Sequence, residues 1–316
     1  MYAIQPIFKE RIWGGRRLEA LFQFELPEGQ IGECWTASAH ASGRTYFLDG
    51  PDQGKTLDEL WQTKRTELFG DYLLDAFPLH VKFLDSSAYL SVQVHPNDEE
   101  ARRLEGEPYG KNECWYILEA APEAEIILGH NLQSRDALFR CAQEKDWETS
   151  LRHQKVKPGE FYYIPSGTIH ALGPGIVLLE IQQMSDRTYR LYDYDRLGDD
   201  GKPRELHVEK AIAVTTIPDE PWTNQPETII KEGGVMTKLL QVPSFTVIRH
   251  EVIGRYTLHD HPVFRLLTVI EGKGEARQGN RVIPLQKGKQ FFVPRRAGDY
   301  EIAGSVTFVT SEVFLD

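Results

Sequence analysis

Gly159-Glu-Phe-Tyr-Tyr-Ile-Pro-Ser-Gly-Thr-Ile-His170 is the stretch from which the fold is read. Its apolar run Phe161-Tyr-Tyr-Ile164 has strand composition and lies between Gly159 and the turn signal Pro165-Ser-Gly167. Gly159 permits a tight turn into the strand, Pro165 ends it, and Gly167 lets the backbone bend so that His170 faces inward. Upstream, Ser91-Val-Gln-Val-His-Pro96 alternates with the strand period, which places Gln93 and His95 on one face. Glu113 opens a further apolar run, Cys114-Trp-Tyr-Ile-Leu118. As neighbouring strands of a small barrel, these runs bring together an amide oxygen, a carboxylate and two imidazoles. Gln93, His95, Glu113 and His170 are a donor set for one divalent metal, most simply zinc.

Two competing assignments are weighed on physical grounds. Glu99 is closer in sequence to His95, but Asp98-Glu-Glu-Ala-Arg-Arg103 is a solvated polar run. Glu113 starts an apolar strand, where a carboxylate without a partner is costly, so Glu113 is preferred. His259-x-His261 near the C-terminus has ligand spacing as well. Aligning it with the upstream segment puts Arg265 opposite Glu113 and Asp299 opposite His170. A cation at the carboxylate position repels a metal, so the second site is expected to be metal-free.

Bulk composition narrows the function classes. The 316 residues are 41% hydrophobic and 26% charged, with a net charge of −11 and no basic cluster. That excludes a phosphate-backbone footprint, and no nucleic-acid partner is expected. No apolar run approaches the ~18 residues of a membrane helix, and the N-terminus lacks a secretory pattern. Cys34, Cys114 and Cys141 cannot all pair, which fits reduced thiols in a cytoplasmic protein. A small anionic substrate remains compatible with the acidic balance, because one or two placed cations bind it.

The first fifty residues read as short strands and turns. Thr56 with Glu59 forms a capping-box pattern ahead of a helical segment closed by Pro78, and Asp98–Glu107 reads as a short helix or loop. Residues 134–151 read as a helical insertion in a β scaffold, with Ser134 as its N-cap. Residues 215–227, with three prolines, are the linker candidate. Lys287-Gly-Lys-Gln-Phe-Phe-Val-Pro294 echoes Lys157-Pro-Gly-Glu-Phe-Tyr-Tyr-Ile-Pro165, which suggests a duplicated β-barrel. The expected organisation is a mainly β chain. A metal-binding domain spans 1–228 and a degenerate, metal-free barrel spans 229–316. Ser185-Asp-Arg-Thr-Tyr-Arg190 offers Arg187 or Arg190 to the barrel mouth, where a cation stabilises developing negative charge.

The Gly159–His170 pattern matches the second motif of the cupin (jelly-roll) barrels, and Gln93-x-His95 resembles the first. More specifically, the chain resembles the type I mannose-6-phosphate isomerases in their short bacillar form. The resemblance lies in Trp13-Gly-Gly-Arg-Arg-Leu18, Gly32-Glu-Cys-Trp35, Phe77-Pro-Leu-His-Val-Lys82, Leu90-Ser-Val-Gln-Val-His-Pro-Asn-Asp98, Gly110-Lys-Asn-Glu113, Pro165–Leu172 and Ser185–Arg190. It implies a zinc-dependent aldose-ketose isomerase of a small phosphorylated sugar, working through a cis-enediol. It further implies Gln93, His95, Glu113 and His170 as zinc ligands, Arg190 as the catalytic arginine and Glu180 as an acid/base. Lys82 and Ser91 match positions associated with substrate or phosphate, and Lys111 occupies a family lysine position near the sugar. An Fe(II) cupin oxygenase and a non-catalytic sugar-binding bicupin are the alternatives.

Overall fold

The computed structural model describes residues 1–198, 201–223 and 225–314. Its architecture is mainly β, and the alternation of each strand decides which layer its side chains enter. A six-stranded antiparallel sheet lies at the centre, in the order Phe161–Ile164, Glu113–Ala120, Ile176–Gln183, Leu79–Ser86, Ile7–Gly15 and Ile31–Ala37, and Ile31–Ala37 also pairs directly with Leu79–Ser86. A five-stranded sheet covers one face, in the order Leu151–Lys155, Glu125–His130, His170–Leu172, Val92–Val94 and Tyr189–Tyr192. Trp13, Leu84, Trp115, Ile117, Ile126 and Leu172 fill the space between these two sheets.

On the opposite face of the central sheet, Cys34, Val81, Phe83 and Ile181 pack against Val247, Leu266 and Phe292 of a nine-stranded sheet. The leucine and phenylalanine side chains buried in this layer contribute roughly 1.5–3 kcal/mol each. The strand Leu79–Ser86 shows the division of labour. Val81 and Phe83 point into the apolar layer, while His80, Lys82 and Leu84 point the other way, toward the five-stranded sheet.

Most of the nine-stranded sheet comes from residues 227–312, but Tyr2–Gln5 and Tyr46–Phe47 belong to it. Tyr2 is the register partner of Phe292, and Ile4 of Gln290 and Phe47. The sheet also curls around a core of its own, with Leu267, Val269, Tyr300 and Phe308 inside. Closed barrels were the expectation. Among the described residues every sheet has open edges, as in a two-sheet jelly roll, which blunts its edges without sealing them.

Thr56 accepts from the Glu59 N–H and Glu59 reaches back, forming a capping box for the helix Leu57–Thr63. Asn97 caps Asp98–Glu105 in the same way, and Gly106 closes that helix at a φ of 69°. Helices Arg135–Glu144 and Trp147–Ser150 follow Glu125–His130 and set Leu138, Cys141 and Trp147 against Val92, Val94 and Ile127, on the outer face of the five-stranded sheet. The first fifty residues contain one helix, Arg17–Phe22, where strands and turns are expected. Burial of Leu18 and Phe22 outweighs the local glycine signal. Among the described residues, no helix is long and apolar enough to cross a membrane.

Candidate metal centre and substrate pocket

His95, Glu113 and His170 converge between the two facing sheets. His170 opens one strand of the five-stranded sheet, and Gln93 is its register partner on the next. Arg190 pairs with Gln93 from the other side, so the three stand in one transverse row. Glu113 faces them from the central sheet, where it pairs with Ile164 and Gln182. His95 Nε2 lies 3.5 Å from Glu113 Oε2, and His170 Nε2 lies 3.3 Å from Glu113 Oε1. Tetrahedral zinc with ~2.1 Å bonds needs ligand atoms about 3.4 Å apart.

Hydrogen bonding prepares both imidazoles for this task. His95 Nδ1 lies 2.7 Å from the Arg187 carbonyl and His170 Nδ1 lies 2.9 Å from the Thr168 carbonyl. Each Nδ1 therefore carries the proton, and each Nε2 keeps its lone pair. Burial drives the His95 imidazole down to about 3, with the Lys111 charge adding to the effect. Burial also lowers His170. Burial alone would raise Glu113, but Lys111 and the two imidazoles hold its carboxyl well below the usual range. The set is thus two neutral imidazoles and one carboxylate, the states in which these groups ligate. Glu113 is fully buried; its Oε2 meets the Lys111 ammonium at 2.8 Å, while its Oε1 has no hydrogen-bond donor. A buried carboxylate beside two imidazole Nε2 atoms turned toward it fits a divalent cation. Gln93 adds an amide next to His170, with Nε2 assigned 3.2 Å from His170 Nε2. Turning the amide over brings Oε1 to the cluster and sets Nε2 toward Ser91 Oγ, a hydroxyl that can accept as well as donate.

A cavity of about 460 Å³ adjoins this cluster, and Gln93, Lys111, Ser91, Lys82, Glu180 and Arg190 line it. Lys82 and Glu180 are register partners on adjacent strands, with Lys82 Nζ 3.5 Å from Glu180 Oε2. Glu33 and Asp186 each lie 3.9 Å from the same ammonium. Burial and the nearby Glu113 charge raise the Glu180 carboxyl above its ordinary value, against the pull of Lys111 and Lys82. Ser91 Oγ donates to Gln93 Oε1 at 3.3 Å. The two candidate arginines differ. Arg187 pairs with Glu107 at 2.6 Å and with Glu105 at 3.7 Å. Arg190 Nη1 donates to the Glu205 carbonyl at 3.3 Å, Nε has no partner, and no carboxylate among the described residues pairs with its guanidinium.

Residues 1–128 match the type I phosphomannose isomerase catalytic domain, and residues 235–313 match the mannose-6-phosphate isomerase cupin domain. Mannose-6-phosphate isomerase ManA of Bacillus subtilis (strain 168) is 43% identical over 309 residues, with 98% of each chain covered. A mannose-6-phosphate isomerase of Streptococcus mutans is 39% identical, covering 98% of this chain and 96% of its own. The crystal structure of the Bacillus subtilis mannose 6-phosphate isomerase superposes with a TM-score of 0.96 at 41% identity, covering 99% of both chains. The chain belongs to the type I phosphomannose isomerase family.

Within this family member, the competing ligand candidates lie elsewhere. Glu99 is exposed on the first turn of Asp98–Glu105. His259 is exposed with Nδ1 3.1 Å from Asp299 Oδ2, and His261 Nδ1 is 3.6 Å from Glu312 Oε2. Arg265 donates to the His259 carbonyl. Sequence reasoning left two parts of the pocket unassigned. Glu33 is a buried carboxylate that Arg11 and Lys82 approach, and its signal is the alternation of Glu33 and Trp35 in Gly32-Glu-Cys-Trp35. Arg204, His207 and Lys210 also line the cavity, from a segment whose short helix, Val208–Val214, has no distinct sequence pattern.

Proposed function

We propose that the protein is an enzyme that interconverts D-mannose 6-phosphate and D-fructose 6-phosphate. The observation that carries this reading is the buried His95–Glu113–His170 cluster beside a cavity that Arg190 lines. His95, Glu113, His170 and the amide oxygen of Gln93 would hold the metal, proposed as zinc. A bound divalent cation supplies Lewis-acid polarisation of the sugar carbonyl.

The reaction moves a proton between C2 and C1, with a cis-enediol between the two sugars. Glu180 is proposed to take the proton from one carbon and return it to the other while the hydroxyl proton passes between O2 and O1, so no net proton is gained or lost. Burial, the largest influence on the Glu180 carboxyl, favours the protonated form and makes it a stronger base than an ordinary carboxylate. Arg190, which pairs with no carboxylate among the described residues, is proposed to stabilise negative charge on the reacting oxygens. Lys82 and Ser91 are proposed to meet the phosphate, and Lys111 the sugar. Lys82 is ringed by Glu180, Glu33 and Asp186, and Asp186, the most exposed of the three, is the charge an incoming dianion would meet. Phosphate held at one end positions C1 and C2 at the other.

The three free thiols are all buried, and the proposed location is the reducing cytoplasm. The experiment is a coupled isomerase assay on purified protein before chelation, after chelation and after zinc is restored. Activity that disappears and returns supports the reading. Activity indifferent to metal, or absent with both sugar phosphates, ends it.

A further inference from the structure

Four residues on four adjacent strands form a transverse row on the inner face of the central sheet. Trp115 is the register partner of Glu180, Glu180 of Lys82, and Lys82 of Trp35. Trp115 Nε1 donates to Glu180 Oε1 at 3.1 Å. Lys82 Nζ sits 3.5 Å from the other oxygen, Glu180 Oε2, and 5.2 Å from the centre of the Trp35 ring. Trp35 Nε1 in turn donates to Glu33 Oε2 at 2.5 Å. Two indoles therefore bracket the lysine–glutamate pair.

Trp115 is 1% exposed, and its ring meets His170 edge-on at 5.6 Å and 77°. One side chain thus touches both the proton-transfer carboxylate and an imidazole of the metal cluster. A tryptophan needed for bulk alone is explained by its burial, and phenylalanine would fill much of the same space. The directed N–H is not explained that way, because its acceptor is a carboxylate that lines the cavity.

We propose that Trp115 is a positioning residue for isomerisation: its indole N–H fixes Glu180 Oε1, so that Oε2 alone faces Lys82 and the substrate. Its edge contact with His170 sets the carboxylate at a defined distance from the metal cluster. The inference rests on Glu180 being the proton-transfer group. A carboxylate free to rotate presents either oxygen and loses the alignment on which proton transfer depends.

Trp115→Phe keeps an aromatic ring and removes the donor. The expected result is a kcat about tenfold lower, with KM within about twofold of the parent and an unchanged metal content per chain. Loss of a donor to the ionised form raises a carboxyl pKa, so the acid limb of the kcat profile moves to higher pH. An independent reading needs no turnover. In ¹H–¹⁵N spectra the Trp115 indole resonance, identified by its absence from Trp115→Phe, moves in Glu180→Gln. An unaltered kcat and acid limb in Trp115→Phe overturns the inference, as does an indole resonance indifferent to Glu180→Gln. If Glu180→Gln is inactive while Trp115→Phe is silent, only the positioning role falls. Wild-type turnover in Glu180→Gln instead removes the acid/base assignment itself.

Discussion

The Lys111 ammonium lies 2.8 Å from Glu113 Oε2 and 3.2 Å from His95 Nε2, so the lysine reaches two of the atoms assigned to the metal. All three residues are buried. A positive charge so close gives the carboxylate a partner and repels a second cation. Lys111→Met should therefore bind zinc more tightly in a chelator competition. After chelation, the same variant should be less stable to denaturant than the chelated parent by about 3 kcal/mol, the scale on which a buried charge loses its partner. Equal zinc affinity in the two proteins would show that Lys111 does not compete for the site.

Arg190 is placed to answer charge that the substrate brings, since among the described residues no carboxylate pairs with its guanidinium. Burial and the neighbouring Arg204 lower its pKa below the ordinary arginine value, which marks it as a costly cation to keep unpaired. Arg190→Ala should reduce kcat by about 10²–10³ while KM rises much less, because the charge it answers develops in the transition state. Steady-state kinetics in both directions measure this. A change confined to KM would place Arg190 on the ground-state sugar or its phosphate instead.

Much of the candidate centre was legible in local patterns. Phe161–Ile164 is a strand with the expected ends, Glu113 begins its strand, and His170 follows the Pro165–Gly167 turn. Each of these rests on alternation or on a turn residue, which act over a few positions. The distribution between sheets was not legible. Gln93, His170 and Arg190 share one sheet while Glu113, Glu180 and Lys82 share the facing one. That division depends on pairings between residues far apart in sequence, such as Glu180 with Lys82 or Arg190 with Gln93, and periodicity says nothing about it. The same holds for Tyr2–Gln5, which crosses to pair with Gln290–Phe292. Glu33 and Trp115 were missed for a related reason. Each sits in an apolar strand, and only the neighbouring strand reveals what its polar atom meets.

Asp186 offers a direct test of the phosphate end. Its Oδ1 lies 3.9 Å from Lys82 Nζ, and its side chain is 40% exposed, unlike Glu33 and Glu180. If the substrate dianion meets Lys82, Asp186 opposes it. Asp186→Asn should then lower KM about fivefold, equivalent to ~1 kcal/mol, with kcat nearly unchanged. The effect should shrink at high salt, as expected for a partly exposed charge. An unchanged KM at low salt would move the phosphate away from Lys82.

Glu33 ties this electrostatic network to stability. Burial alone would raise its carboxyl, but Lys82 and Arg11 outweigh burial and bring it from 4.5 down to about 2. Arg11 Nε donates to Oε1 at 2.9 Å and Trp35 Nε1 donates to Oε2. A carboxyl depressed in the folded protein releases its proton more readily than in the unfolded chain. Between pH 2 and 4.5 the unfolded chain therefore binds more protons, and stability falls as pH falls. Above 4.5 the contribution is complete, at most about 3 kcal/mol from the size of the shift. Glu33→Gln should be less stable than the parent at neutral pH by up to that amount. The gap should narrow as pH drops from 4.5 toward 2, measured by denaturant unfolding at fixed ionic strength. A gap of constant size across that range would show that Glu33 acts through packing and hydrogen bonds and not through its charge.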